Sequence, residues 1–94
     1  NIMMRRIKLV RKDSMTIDLG KPKAMTAGVR VYCVDGHEYV CEMDAGDYSV
    51  TRMEYNMEQA NVTADDMVHM IYALADGREI KAEVIMRADA DESK

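Results

Sequence analysis

Apolar and polar residues alternate in short runs along most of the chain, the period-two pattern of half-buried β-strands. Ile7 and Leu9 alternate with Arg6 and Lys8, which predicts a first strand over about residues 4–11. Lys12-Asp13-Ser14 reads as a turn, and Met15 to Leu19 as a short second strand. Gly20, Lys21, Pro22 and Lys23 then interrupt the pattern. Pro22 is the only proline, and the interruption is read as a surface loop reaching about Ala27.

One phrase occurs twice. Asp35 to Met43 and Asp76 to Val84 both read Asp-Gly-x-Glu-apolar-x-small-Glu-apolar, 41 residues apart. Asp-Gly between apolar runs is a hairpin signal. A three-residue loop (Val34 to Gly36, Ala75 to Gly77) with a left-handed glycine gives each hairpin one mostly apolar face. In that register Cys33 pairs with His37, Val31 with Tyr39 and Val29 with Cys41. The second copy pairs Leu74 with Arg78, Tyr72 with Ile80, Met70 with Ala82 and Val68 with Val84. Arg30, Glu38 and Glu42 take the polar face of the first copy. His69, Glu79, Lys81 and Glu83 take that of the second, with His69 opposite Glu83.

Two stretches carry rival readings. Arg52 to Glu58 alternates strictly, predicting a strand over 48–57 with Met53, Tyr55 and Met57 inward. Its rival is a helix, with Thr51 and Glu54 as a capping box and Val50 and Tyr55 as a hydrophobic staple. Over 63–75, Thr63 and Asp66 resemble a helix start, and Met67, Met70, Ile71 and Leu74 fall at helical spacing. Gly77 would then stand just beyond the helix end. The repeated phrase argues for strand instead. The fold class expected is all-β: a small antiparallel barrel, roll or compact sandwich of six to seven strands built around two Asp-Gly hairpins. The alternative is α+β, with one or two helices between 51 and 75 packed on an antiparallel sheet. Residues 1–87 form one domain in this reading, and 88–94 an acidic, disordered tail.

Composition changes the picture of the core. The 94 residues include no Phe and no Trp, so ten Met and five Tyr must fill the large positions. Methionine packs adaptably and specifies geometry less sharply than aromatic residues. No stretch approaches the run of about 18 apolar residues that crosses a bilayer. No signal-peptide pattern follows Arg5 and Arg6. In the preferred register the two cysteines are roughly 13 Å apart along the strand, too far for a disulfide. Reduced thiols and a cytoplasmic location are therefore expected. Charge is uneven: residues 1–30 balance at +6 and residues 31–94 at −10. That split, with the open edges of short strands, predicts a homodimer whose basic N-terminal strand lies near an acidic sheet of the partner.

No stretch carries a recognisable chemistry. Cys33, His37 and Cys41 share a face, but three spread candidates do not make a four-ligand zinc site. Cys33 beside His37 has the right types for a nucleophile and base, without an orienting group or oxyanion site. The His69–Glu83 pair is read as sheet-stabilising. No phosphate-binding glycine loop is present. Arg5, Arg6, Lys8, Arg11, Lys12, Lys21 and Lys23 are the basis for considering nucleic acid. The functional expectation is a non-enzymatic binding or accessory module acting through a sheet face or strand edge, as a homodimer. The alternatives are a small-molecule-binding barrel with a Met/Tyr-lined pocket, and nucleic-acid binding through the basic strand. Arg30, Tyr32, His69 and Glu83 are the candidate binding residues. No catalytic residue, metal or cofactor is assigned, the expected partner is a protein or a second copy, and no membrane contact is expected.

Overall fold

The computed structural model describes residues 5–87, so the expected tail at 88–94 and the first residues of the chain lie outside it. Five antiparallel strands and one helix follow in the order β1 (Ile7–Asp18), β2 (Ala24–Val34), β3 (Glu38–Ala45), β4 (Tyr48–Glu54), α1 (Met57–Ala75) and β5 (Ile80–Met86). The strands form one sheet in the order β4-β3-β2-β1-β5. The β-rich, antiparallel character is as expected. The sheet is open, however, and contains neither a barrel nor six or seven strands.

The missing turn at Lys12–Ser14 has a simple cause. β1 is continuous, but its ladder with β2 shifts between Leu9 and Arg11, leaving Val10 as an extra, bulged residue. A bulge shifts the alternation by one position. Odd-numbered residues therefore face away from the helix before it and toward the helix after it. Arg11, Asp13, Met15 and Ile17 are all buried on the helix side. The break in alternation at Lys12 to Ser14 is this change of phase and not a turn.

β2 and β3 do meet across Asp35-Gly36, in a register other than the one expected. Val34 pairs with Glu38, Cys33 with Tyr39 and Val31 with Cys41. The three-residue loop is thus Asp35 to His37, and every partner moves by two residues. Each residue keeps its face, so Val29, Val31, Tyr39, Cys41 and Met43 are buried together. Asp35 and Gly36 both have positive φ (54° and 78°), the backbone that primed hairpin turns need and that Asp-Gly supplies. The turn is tied to the start of β1: the Arg6 N–H donates to Asp35 Oδ1 at 2.9 Å. That bond, with help from Arg5, holds the Asp35 carboxyl below its ordinary pKa.

The second Asp-Gly is not a hairpin. Residues 57–75 are helical, and Asp76 (φ 51°) and Gly77 (φ 81°) end the helix with left-handed backbone. The Asp76 N–H bonds to Ala73 O and the Arg78 N–H to Ala75 O, satisfying carbonyls that a helix end would otherwise leave open. The predicted pairs Tyr72–Ile80, Met70–Ala82 and His69–Glu83 therefore do not form. At the other end Asn56 is the N-cap, accepting from the Gln59 N–H at 2.8 Å. Asn56-x-x-Gln59 is itself a capping signature, whereas the expected caps at Thr51 and Thr63 lie in β4 and mid-helix. Met53 lies within β4 on the face away from the helix and is exposed, Tyr55 follows the strand end at Glu54 and is exposed, and Met57 is buried as the first residue of α1.

α1 lies on one face of the sheet, mainly over β3, β2 and β4. Its buried stripe is Met57, Ala60, Ala64, Met67, Ile71 and Ala75. Alanines at three of those six positions let the helix axis approach the sheet closely, where Met15, Ile17, Val29, Val31, Cys41 and Met43 meet it. Burial of this apolar surface, at about 25 cal/mol per Å², is the main force joining helix to sheet.

Candidate functional site

One side of the sheet carries the helix. Among the described residues no element covers the other side, and strand register assigns its residues in rows. Leu9, Tyr32, Val40 and Met53 form one row across β1, β2, β3 and β4. Ile7 and Val34 adjoin it as a pair between β1 and β2. Ile7 and Met53 are exposed, and Leu9, Tyr32 and Val40 half-buried. Five apolar or aromatic side chains thus make a contiguous band at one end of the face. Contiguous bands of this kind, not scattered single residues, mark interaction surfaces.

The next rows are polar. Lys12, Arg30, Glu42 and Thr51 stand side by side, followed by Glu83, Ser14, Gly28, Asp44 and Ser49. Arg30 reaches across both rows, with Nε 3.3 Å from Glu42 Oε1 and Nη1 2.7 Å from Asp44 Oδ1. Partial burial opposes its charge, but Asp44 and then Glu42 outweigh that, and the Arg30 pKa is raised. Gly28 makes room for the arch. A Cβ there would lie 3.1 Å from Arg30 Nη1 and 3.2 Å from the Asp13 carbonyl oxygen. The result is an apolar band bordered by a fixed charge cluster in which one arginine holds two carboxylates.

Three of the four sequence candidates share this face: Tyr32 in the apolar band, Arg30 in the polar rows and Glu83 toward the β5 edge. His69 does not join them. It is exposed on α1, on the other side of the molecule from Glu83. Sequence reasoning missed Ile7, Leu9, Val40 and Met53, because the face of each strand depends on register and on the Val10 bulge. Tyr55, expected inward, is exposed, as is Tyr72 from the apolar face of the second expected hairpin, whereas Tyr39 from that of the first is buried.

The remaining chemistry separates spatially. His37 lies in the turn, its Nδ1 2.8 Å from the Asp35 carbonyl oxygen, and Tyr39, not His37, opposes Cys33. The nucleophile–base pair is therefore not assembled. Both cysteines are free. Burial pushes the Cys41 thiol up to about 11, and its Sγ lies 3.6 Å from Ala60 O. Cys33 is only half-buried. Iodoacetamide at pH 8 is expected to give one fast adduct at Cys33 and a slow one at Cys41. Equal labelling rates by peptide mass spectrometry would contradict this packing.

The basic residues near the N-terminus are likewise dispersed. Arg11 is buried against the helix, and Arg5 pairs with Asp35 and Glu38. Lys8 falls in a helix-side row and Lys12 in an outer row. One cleft of about 180 Å³ lies by the β1–β2 turn, where Lys21, Lys23 and Lys81 face Asp18 and Glu79. No Met or Tyr lines it. The buried methionines, Met15, Met43, Met57 and Met67, are core packing. Among the described residues, no three His, Cys, Asp or Glu side chains converge as a metal-ligand set, and no helix is long and apolar enough to cross a membrane. Comparison with known protein families, characterised proteins and solved structures found no match.

Proposed function

We propose that this chain is a non-enzymatic protein-binding module whose contact surface is the uncovered face of the sheet. The observation that carries the reading is the band of Ile7, Leu9, Tyr32, Val40 and Met53 opposite the helix-covered side. Tyr32 is the natural anchor. It sits mid-sheet between Leu9 and Val40, and its ring offers large apolar area with a polar tip. The Arg30, Glu42 and Asp44 cluster forms the polar border that fixes a partner's orientation and does little for affinity, since Arg30 is already engaged by both carboxylates.

The test uses a photo-crosslinking residue at Val40, with Thr26 at the far end of the same face as control. A discrete protein should be captured from Val40 and not from Thr26. Once purified, that protein should bind the native chain, and Tyr32→Glu should weaken binding at least about tenfold by burying a charge in the contact. Ser49→Glu, in the polar rows, should leave binding unchanged. Capture that is equal at both positions, or binding indifferent to Tyr32→Glu, sinks the reading.

A further inference from the structure

The sheet has two edges, β4 and β5, and they differ. The β4 edge runs through Tyr55 and Asn56 directly into α1, which packs against it. β5 is exposed at every residue but the half-buried Ile80, including Val84 (55%), Ile85 (51%) and Met86 (43%). It carries no proline, and its Lys81 and Glu83 lie on the outer face instead of blocking the edge. Such an edge is a template for another strand. β1, the basic strand expected at a dimer contact, is paired along its length by β2 but by β5 only over Lys12 to Ile17.

We propose that β5 pairs antiparallel with β5 of a second copy, about a two-fold axis through Ala82. The register follows from charge and parity. A two-fold axis perpendicular to the sheet keeps each residue on its own face, so the two numbers of any opposed pair sum to an even value. Centring on Ala82 sets Lys81 against Glu83 of the second copy, and Glu83 against its Lys81. Ile80 then meets Val84 twice, and two small alanines meet on the axis. Centring one residue earlier puts Lys81 against Lys81; one later puts Glu83 against Glu83. Registers further out run past the strand start at Ile80 or into the bulge at Ile85, where the β1–β5 ladder shifts. The sequence of β5 is thus complementary to itself in one register. On the β4 edge the corresponding register, centred on Met53 with Arg52 against Glu54, runs past the strand end at Glu54 and pairs only three residues.

This pairing makes a ten-stranded sheet, with both helices on one side and both uncovered faces on the other. It stands on a different strand from the face proposed above and does not depend on it.

Sedimentation velocity on the full chain over a concentration series at low salt is the test. Wild type forms a dimer as concentration rises. Lys81→Glu and Glu83→Lys each turn two attractive cross-strand pairs into repulsive ones, so each should weaken dimerisation by roughly tenfold or more. Mixed in equal amounts, the two variants restore complementary charge and should recover the dimer. Within one chain Glu83 opposes Ser14 and Lys81 opposes Thr16, but Lys81 also shares a cleft with Asp18 and Glu79. Each variant is therefore compared only where its circular dichroism and denaturation midpoint match wild type, and Glu83→Lys carries the single-variant test. As an independent check, Ala82→Cys should give a disulfide-linked dimer under mild oxidation, and Glu83→Cys should not. A strictly monomeric wild type, single variants that dimerise normally, or a mixture that stays monomeric would each overturn the proposal.

Discussion

Arg11→Met is expected to lower stability by about 3–5 kcal/mol, the cost of breaking a buried ion pair from one side. Arg11 is 2% exposed. Its Nε lies 2.8 Å from Asp13 Oδ2 and its Nη2 2.8 Å from Asp65 Oδ1, and Nη1 also donates to Asn61. Burial works against the guanidinium charge, but Asp13 and Asp65 outweigh it and raise its pKa. One side chain thus joins β1 to α1, and Arg87 beyond β5 adds a weaker contact to Asp65 at 3.5 Å. Methionine retains much of the volume yet leaves the buried Asp13 carboxylate without its cation. Arg11→Met with Asp13→Val removes the stranded charge, and should recover most of the loss. Urea denaturation of both variants measures the difference. A single-variant cost under about 1 kcal/mol would mean that solvent reaches Asp13 and that the network is a surface pair.

The same residue shows how far the sequence could be read. Arg11 looked like part of a basic N-terminal strand because alternation around it places charge at odd and even positions alike. Only the extra residue at Val10 reveals which charges turn inward, and a bulge has no reliable sequence signature without its partner strand. The hairpin at Asp35-Gly36 was legible to within a shift in register, because Asp-Gly between two β-branched, alternating runs supplies the positive φ angles that a tight hairpin needs. Faces survived that shift since each partner moved by two. The second Asp-Gly misled for a related reason. Left-handed backbone is needed both at a hairpin turn and at a helix end, so the dipeptide reports conformation and not the element that precedes it. The candidate site was legible in part: Arg30 and Tyr32 were placed on one strand, but the band around Tyr32 depends on register across four strands.

The helix itself supplies the second large effect. Ile71→Ala is expected to cost about 2–5 kcal/mol, the range for deleting a large aliphatic side chain from a packed core. Ile71 is fully buried, on the stripe between Met67 and Ala75 that faces the sheet. Its neighbour Tyr72 is 47% exposed, so Tyr72→Ala should cost roughly 0.5 kcal/mol. A strand over this segment inverts the order. There Tyr72 would point into the core opposite Ile80, and Ile71 would face solvent. Adjacent residues therefore distinguish the two architectures, because a helix and a strand cannot bury the same member of the pair here. The stripe was hard to read because Val62, Met70, Tyr72 and Leu74 are also apolar yet exposed, while three of the six buried positions are alanine. Apolar size thus points to the wrong side of the helix, and small residues mark the side that packs. For a domain whose total stability is on the order of 5–15 kcal/mol, the Ile71 variant should show a visibly lower denaturation midpoint and the Tyr72 variant almost none. A larger loss at Tyr72 than at Ile71 would restore the hairpin and remove the helix from the fold.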